Sequence, residues 1–264
     1  MTTHPTQFYD AYVLDLDGTV YLGDALLPNA QRAITTIRAQ GKRTVFLSNN
    51  PTHTRQEYAA KLTKLGLPTN VNDVINSSMV IVDFLKRRLP TARLFVIGEQ
   101  PLYNDLRDAG FKFAGSFSEI DAVIASFDRT FTYAKLQIAF DAIRNGARFF
   151  ATNGDRYCPV PGGGQPDAAA IIAAIEACTN TQCEAIVGKP STYMMDAVMS
   201  VLRLPPSRCL MAGDRLETDV QMGINAGMAS ALTLTGATKI ADAEASSIKP
   251  TYIINDLGDL LPQD

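Results

Sequence analysis

Four short apolar segments of the sequence each end in polar residues that could bind or attack an anion. The first runs into Asp15-Leu16-Asp17-Gly18-Thr19, and the second into Ser48-Asn49-Asn50. The third runs into Gly188-Lys189-Pro190, and the fourth into Gly213-Asp214-Arg215, with Asp219 one helical turn further along. Ligands of open α/β sheets bind outside the carboxyl ends of the strands. We therefore expect these groups to converge on one site.

Each motif taken alone has an ordinary structural explanation. The Asp15 segment could be a turn with a solvated rim, Ser48 could cap the next helix, and Lys189 could lie on the surface. Gly213-Asp214 could likewise be a turn. The joint occurrence of the four motifs, each after an apolar run, is what favours a functional site.

The combined set fits phosphoryl transfer to a carboxylate. A carboxylate that attacks a phosphate dianion meets repulsion, which Mg²⁺ and an ammonium group would relieve. Asp15 and Asp214 offer carboxylate ligands, Lys189 offers the second positive charge, and Ser48 with nearby backbone N–H groups could bind the other phosphoryl oxygens. Asp15 would attack in line and become phosphorylated. Strand alternation puts Asp17 on the same side, where it could protonate the leaving alkoxide and then activate water.

Strand-like and helix-like segments alternate along the chain, which predicts an α/β fold with a parallel sheet. Helices are expected around Ala30–Ile37, after an N-cap at Ser191, and over Glu217–Ala226. The proline- and glycine-rich segment Pro159–Pro166 predicts an irregular loop. The predicted strands are Ala11–Leu16, Thr44–Leu47, Leu94–Ile97, Ala122–Ala125, Arg148–Ala151, Ala185–Val187, Cys209–Ala212, Ala231–Leu234 and Tyr252–Ile254.

Composition narrows the choice of partners. The formal net charge of −3 argues against a surface built for nucleic acid or for an anionic membrane. No apolar run reaches the roughly 18 residues of a membrane helix, and the amino terminus does not resemble a signal peptide. The four cysteines form no CxxC pair and the chain has two histidines, so a zinc site is not expected. We expect a cytoplasmic protein with reduced thiols that acts on a small phosphorylated metabolite.

The four motifs together resemble those of haloacid dehalogenase-type phosphatases. DLDGT spans Asp15–Thr19, LSNN spans Leu47–Asn50, VGKP spans Val187–Pro190 and GDRLETD spans Gly213–Asp219. Their order and spacing look like the NagD-like branch, which includes p-nitrophenyl phosphatases and phosphoglycolate phosphatases. The resemblance covers essentially the whole chain. It implies a doubly wound, Rossmann-like parallel-sheet core with an inserted α/β cap domain.

The resemblance also implies a role for each motif residue. Asp15 matches the nucleophile, and Asp17 matches the general acid/base that also gives a backbone carbonyl to Mg²⁺. Asp214 matches a side-chain ligand of Mg²⁺. Asp219 matches a residue that does not bind Mg²⁺ directly but supports the residues that do. The phosphate-binding and pocket-lining positions are matched by Ser48, Lys189, Asn49 and Asn50.

The long gap between the second and third motifs is where relatives carry the cap. The resemblance implies a core over residues 1–77 and 184–264 and a cap over 78–183 that sets specificity and can pair in a homodimer. Asn153 and Asp155 match the cap segment that meets the substrate in relatives. Cys158 stands near where relatives that act on pyridoxal phosphate carry histidine, so this chain departs from them. A packed thiol is the expected state of Cys158.

Two other functions use similar residues. A receiver module accepts a phosphoryl group on aspartate and changes shape, although it needs only one compact domain and no Asp17 equivalent that activates hydrolysis. A mutase or phosphotransferase would use the same motifs and pass the phosphoryl group to an alcohol. In that case the cap would decide by admitting or excluding water. A binding module that has lost its activity is a third interpretation, which the sequence does not support because every reacting position holds a competent residue.

Overall fold

The computed structural model of the protein describes residues 3–262, and its framework is two parallel β-sheets. The strands are β1 (Ala11–Asp15), β2 (Tyr21–Leu22), β3 (Ala25–Leu26), β4 (Arg43–Ser48), β5 (Val74–Asn76), β6 (Arg93–Ile97), β7 (Lys112–Phe113), β8 (Ala122–Ala125), β9 (Arg148–Ala151), β10 (Tyr157–Val160), β11 (Gly163–Pro166), β12 (Ala185–Ile186), β13 (Cys209–Gly213), β14 (Ala229–Thr233) and β15 (Tyr252–Ile254). The helices are α1 (Ala30–Ala39), α2 (Arg55–Lys64), α3 (Ser77–Arg88), α4 (Gln100–Asp108), α5 (Tyr133–Arg144), α6 (Ala168–Thr179), α7 (Thr192–Leu202), α8 (Gln221–Ala226) and α9 (Ile240–Ala245).

The first sheet has six strands in the order β15-β14-β13-β1-β4-β5, all parallel. Successive side chains of β1 point to opposite faces. Ala11 and Val13 accordingly belong to one apolar cluster, whereas Tyr12 and Leu14 belong to another with α1. Both faces of the sheet are therefore covered, which explains why β1 is apolar throughout. This is the doubly wound α/β arrangement predicted from the sequence.

Strand β1 occupies the topological switch point of this sheet. The chain continues from β1 to β4 and β5 on one side, and it fills the other side later with β13, β14 and β15. A crevice forms outside the carboxyl ends of the strands where the strand order reverses. Asp15 is the last residue of β1 and therefore stands at that crevice.

The second sheet has five parallel strands in the order β12-β9-β8-β6-β7. Its strands lie between residues 93 and 186, largely the segment predicted to be the cap. Strand β12 belongs to this sheet although it lies just beyond the predicted boundary at residue 183. The domain boundaries themselves, residues 1–77 and 184–264 against 78–183, stay a prediction.

The two sheets are joined by a continuous apolar cluster. It contains Val45 and Met211 from the first sheet and Val96 and Phe150 from the second. Phe84 of α3 packs between them, with its ring edge-to-face against Phe150 at 5.1 Å and against Tyr193 of α7 at 4.9 Å. Aromatic pairs of this geometry add stability beyond the area they bury.

Most predicted elements are present in the structure. All nine predicted strands occur, and Ser191 caps α7 by accepting a hydrogen bond from the Met194 N–H. The predicted helix over Glu217–Ala226 begins as a π-turn, Leu216–Val220, before continuing as α8. Over residues 3–262, no helix has the length and apolar character that a membrane crossing requires.

The prediction for Pro159–Pro166 is wrong. This segment belongs to an antiparallel hairpin, β10–β11, rather than to an irregular loop. Pro161 and Gly162 form the turn, and Gly162 has φ +85°, a conformation that glycine adopts without strain. Proline at Pro159 and Pro166 disfavours a central strand, but a two-stranded hairpin consists only of edges.

Candidate active site

The five residues on which the predicted mechanism depends line one small cavity of about 40 Å³ at the carboxyl ends of the first sheet: Asp15, Asp17, Ser48, Lys189 and Asp214. They reach it from the ends of β1, β4 and β13 and from the loop before α7. The predicted convergence of the four motifs is therefore present in the folded chain.

Lys189 joins two carboxylates at the floor of the cavity. Its Nζ lies 2.5 Å from Oδ1 of Asp15 and 2.6 Å from Oδ1 of Asp219, and all three side chains are buried. Burial alone would lower the pKa of Lys189, but the two carboxylates outweigh it and raise that pKa above its ordinary value. The ammonium group is therefore charged at neutral pH.

Asp15, Asp214 and Asp219 have the chemistry of a divalent cation site. One carboxylate oxygen from each lies within 4.8 Å of the others. Burial, followed by the charges of Asp15 and Asp219, raises the pKa of Asp214, a repulsion that a bound cation would relieve. Oδ2 of Asp214 accepts the Ala237 N–H at 2.6 Å, which fixes the carboxylate.

Two of these carboxylates keep an oxygen free for a ligand. Among the described residues, no hydrogen-bond donor reaches Oδ2 of Asp15 or Oδ1 of Asp214. Asp219 differs, because Lys189 occupies its Oδ1 and the Arg215 N–H donates to its Oδ2 at 3.1 Å. The residues present therefore fit Mg²⁺ held by Asp15 and Asp214, with Asp219 fixing its neighbours.

Two glycines allow Asp214 to approach the backbone. A Cβ at Gly18 would lie 2.6 Å from Oδ2 of Asp214, and one at Gly236 would lie 2.0 Å from the same oxygen. Gly18 also has φ +93°, which L-residues rarely adopt. The chain turns sharply at Gly18 after β1, and the missing side chain there makes room for the carboxylate of Asp214.

Asp17 differs from Asp15 in its electrostatic environment. Its side chain lines the cavity without an ion-pair partner among the described residues. Burial and the nearby charge of Asp15 raise the pKa of Asp17 to about 7. A carboxyl group in that range can both give and take a proton near neutral pH.

Asn49 holds the loop that presents Lys189. Its Oδ1 accepts the Lys189 N–H at 2.7 Å, and its Nδ2 donates to the Lys189 carbonyl at 3.3 Å. Ser48 is held beside it, because its Oγ accepts the Asn50 N–H at 3.1 Å and pairs with the Tyr58 hydroxyl at 3.3 Å. The amide of Asn49 is therefore engaged with the protein, although Asn49 also lines the cavity as predicted.

The predicted cap residues occupy different depths. Asp155 lines the cavity. Asn50, which belongs to the predicted core, also lines it, and its Nδ2 lies 3.5 Å from Sγ of the cap residue Cys158. Asn153 is fully buried behind the wall, where Thr152 donates to its Oδ1. Burial, followed by the charge of Asp17, raises the pKa of Cys158 to about 12, which matches the expected packed and unreactive thiol.

Sequence reasoning gave no role to Arg215 or Asp167, which also line the cavity. Arg215 reaches from the end of β13 to the hairpin, donates to the Tyr157 carbonyl at 2.6 Å and stacks on the Tyr157 ring. Its position directly after Asp214 was the available signal. Asp167 precedes the alanine-rich helix α6, a position that indicates only an N-cap.

A larger cavity of about 580 Å³ adjoins the small cavity that Asp15 lines. The two share Asp155, Tyr157, Lys189, Arg215 and Thr218 in their walls. The larger, outer cavity is lined on one side by Tyr157 of the hairpin and on another by the loop that carries Ala237 and Thr238. The inner cavity is lined by the carboxylates of the first sheet and also by Asp155 and Asp167, so a small ester bound there would meet both sets of residues. The outer cavity leaves room for a longer leaving group.

Comparisons with known proteins agree with this geometry. A family model described as haloacid dehalogenase-like hydrolase matches residues 12–112, and one described as HAD-hydrolase-like matches residues 186–260. Among curated proteins, the sugar-phosphatase AraL of Bacillus subtilis is 40% identical over 261 residues, which cover 98% of this chain and 95% of that protein.

Solved structures give the same result. The 4-nitrophenylphosphatase of Thermotoga maritima superposes with a TM-score of 0.90 at 35% identity, covering 97% of this chain and 98% of that one. NagD from Escherichia coli K-12 superposes with a TM-score of 0.84 at 28% identity, covering 96% and 98%. The coverage includes both sheets. The chain belongs to the haloacid dehalogenase-like hydrolase family and, within it, to the NagD-like phosphatases.

Proposed function

We propose that this enzyme hydrolyses small phosphomonoesters by forming an aspartyl-phosphate on Asp15, with Mg²⁺ as its cofactor. One observation carries the proposal. Lys189 joins Asp15 to Asp219 in a buried cavity, where Asp15 and Asp214 each keep one carboxylate oxygen that no residue from 3 to 262 hydrogen-bonds. The enzyme class excludes a signalling switch. Water as the acceptor is part of the proposal, and a mutase or phosphotransferase is its alternative.

The first half-reaction forms the intermediate. An oxygen of Asp15 attacks the phosphorus atom in line, and the bond between phosphorus and the ester oxygen breaks. Lys189 lies 2.5 Å from Asp15, so its positive charge offsets the approach of two anions. Asp17, in its protonated form, gives its proton to the leaving alkoxide, and the alcohol departs.

The second half-reaction regenerates the enzyme. Asp17, now a carboxylate, takes a proton from a water molecule whose oxygen attacks the phosphorus of the acyl-phosphate. The bond between phosphorus and Asp15 breaks, and inorganic phosphate leaves. Ser48 and neighbouring backbone N–H groups bind the phosphoryl oxygens in both steps. Asn49 keeps Lys189 in position throughout.

Mg²⁺ would be held by the carboxylates of Asp15 and Asp214 and the backbone carbonyl of Asp17. When bound, it supplies positive charge that neutralises phosphoryl oxygens. Asp219 does not need to ligate it, because both of its oxygens already accept hydrogen bonds from Lys189 and Arg215.

A direct test measures phosphate release from p-nitrophenyl phosphate by the purified enzyme. We expect activity with Mg²⁺, loss after exhaustive chelation, and recovery when Mg²⁺ is returned. Activity that survives complete metal removal would contradict the cofactor assignment. Adding a large excess of an alcohol tests the acceptor: phosphate yield that stays equal to p-nitrophenol yield supports hydrolysis, whereas a phosphate deficit matched by a phosphorylated alcohol supports transfer.

The substrate and the surroundings of the enzyme belong to the same proposal. A small phosphorylated metabolite is the expected partner, and the sequence predicts no nucleic acid or membrane partner. Homodimer formation through the cap and a cytoplasmic location stay predictions. Sedimentation of the purified protein would test the first, and fractionation of cells would test the second.

A further inference from the structure

Asp167 is a buried carboxylate in the wall of the catalytic cavity that the proposed reaction does not use. It lies at the N-cap of α6 and is 2% exposed. It comes from the segment predicted to be the cap, so it stands across the cavity from the reacting carboxylates of the first sheet. A buried ionisable group in such a place needs either partners or a ligand.

Only one of the two oxygens of Asp167 has partners. Oδ1 accepts the Ala168 N–H at 2.5 Å and Nδ2 of Asn153 at 3.0 Å. Oδ2 accepts no hydrogen bond from any residue between 3 and 262. Because the residue lines the cavity, this free acceptor is available to a molecule bound there.

The only positive side chains among the residues that line this cavity are already engaged. Lys189 binds Asp15 and Asp219. Arg215 donates to the Tyr157 carbonyl, stacks on the Tyr157 ring and lies 3.8 Å from Oδ1 of Asp155. The cap side of the cavity therefore presents two carboxylates, Asp155 and Asp167, and no uncommitted cation.

We propose that Asp167 is a specificity-determining residue, which accepts a hydrogen bond from a hydroxyl or ammonium group on the leaving group and excludes leaving groups that carry a second anion. The inference rests on the proposed function, since it concerns the alcohol part of the same ester. A donor on the substrate satisfies Oδ2, whereas a carboxylate there would face an unscreened like charge.

The substitution Asp167→Asn isolates the charge of this residue. Asparagine is as good an N-cap as aspartate and keeps an oxygen for Ala168 and Asn153. It replaces Oδ2 by an amide NH₂ group that donates hydrogen bonds. The position then favours a hydrogen-bond acceptor on the substrate instead of a donor. Asp141→Asn is the matched control, because Asp141 lies on α5 and lines neither cavity.

The assay compares kcat/KM at pH 8 for four probes. Burial raises the pKa of Asp167 to about 7, so the carboxyl group is ionised there. Glycerol 3-phosphate and O-phosphoethanolamine carry a donor, phosphoglycolate carries a second anion, and p-nitrophenyl phosphate carries neither and serves as the internal reference. In the wild type, we expect the two donor-bearing esters to exceed phosphoglycolate.

In Asp167→Asn, each donor-bearing ester should lose about tenfold against the reference, and phosphoglycolate should gain against it. Asp141→Asn should leave every ratio unchanged. A wild type that prefers phosphoglycolate overturns the inference whether or not the variant folds, and so do ratios that move less than about twofold in a folded variant. Failure of the proposed function looks different, because p-nitrophenyl phosphate itself would not be hydrolysed.

Discussion

The two parallel sheets carry polar residues of different kinds at their carboxyl ends. In the first sheet these residues are charged and paired, with Lys189 between Asp15 and Asp219. In the second sheet they form a mostly neutral chain, in which the Thr152 hydroxyl donates to Oδ1 of Asn153 and accepts a hydrogen bond from the Ser126 hydroxyl. Both clusters are buried. The same architecture thus supports a reactive site in one sheet and a rigid, hydrogen-bonded wall in the other.

This difference has a physical reason. Burying a charge raises the free energy of the folded state unless the charge is paired. Removing one partner of a buried pair is strongly destabilising, because the other charge is then buried without compensation. A neutral network in which every donor has an acceptor fixes side-chain positions without burying a charge. The paired charges at the first sheet therefore suit the proposed reaction, and the neutral chain at the second sheet suits a wall of fixed shape.

The largest expected effect separates the two sheets directly. Asp15→Asn should lower kcat by at least about 10⁴-fold, because an amide is a poor nucleophile and Lys189 loses a partner. Asp155→Asn, a matched change on the cap side, should retain most of the turnover. Phosphate release from p-nitrophenyl phosphate measures both, with thermal unfolding as the check on folding. Near-normal activity of Asp15→Asn would remove the nucleophile from the mechanism.

A second substitution in the first sheet should divide the reaction in two. p-Nitrophenolate leaves without needing a proton, so Asp17→Asn should still form the acyl-phosphate from p-nitrophenyl phosphate. Hydrolysis of that intermediate should be severely slowed, because Asp17 activates the water. We expect a rapid burst of about one p-nitrophenolate per enzyme followed by a slow phase. A slow reaction with no burst would contradict this, because it would show that the first step needs Asp17 even when the leaving group needs no proton.

The third substitution tests positioning rather than chemistry. Asn49→Ala removes both hydrogen bonds that hold the backbone of Lys189, and a displaced ammonium group should cost about 10² in kcat. Asn145→Ala, at the exposed end of α5, is the control and should leave kcat unchanged. Recovery with Asn49→Asp, which keeps one acceptor for the Lys189 N–H, should be partial. Unaltered kcat in Asn49→Ala would show that the loop holds Lys189 without this amide.

The same comparison explains what the sequence could predict. Asp15, Ser48, Lys189 and Asp214 each follow a short apolar strand, and parallel strands bring their carboxyl ends together, so local pattern and topology point to one place. Asp167 could not be recognised this way. An aspartate before a helix has a sufficient local explanation as an N-cap, and only the packing of α6 shows that this residue lines the cavity.

Errors of secondary structure arose where tertiary contacts override composition. The hairpin β10–β11 contains three prolines and three glycines within Pro159–Pro166, which favours a loop. It is held instead by its contacts with the first sheet, through Arg215 at Tyr157 and Asn50 at Cys158. Such contacts are between residues far apart in the chain, so local pattern does not predict them.

The fourth substitution tests that hairpin. Arg215→Gln removes the stacking on Tyr157 and the charge-assisted hydrogen bond to its carbonyl, so the cavity wall should loosen. We expect KM for p-nitrophenyl phosphate to rise about tenfold with a smaller change in kcat. Arg144→Gln, an exposed change on α5, is the control. A fall in kcat alone would instead indicate that the charge of the Arg215 guanidinium acts on the nearby carboxylates of Asp214, Asp219 and Asp15 rather than on the hairpin.

The smallest expected effect lies at the opposite edge of the first sheet. Asp10, just before β1, pairs with Lys42 at 2.9 Å and with Arg208, and the hydrogen bonds from these two residues lower its pKa. A lowered folded-state pKa adds stability that is present above the ordinary value near 4 and is lost as the pH falls through the folded value. Exposed ion pairs contribute little, so Asp10→Asn should lower Tm slightly at pH 7 and leave kcat unchanged.

The pH dependence is the diagnostic part of this prediction. The difference in Tm between wild type and Asp10→Asn should shrink as the pH falls below the ordinary aspartate value and through the lowered folded-state pKa of Asp10, and it should also shrink at high salt. Asp24→Asn, in the turn between β2 and β3, is an exposed control that should show no such trend. A difference that does not shrink on acidification or at high salt would mean that Asp10 stabilises the amino edge by its packing rather than by its charge. A change in kcat would mean that a charge at the amino ends of the strands influences the site at their carboxyl ends.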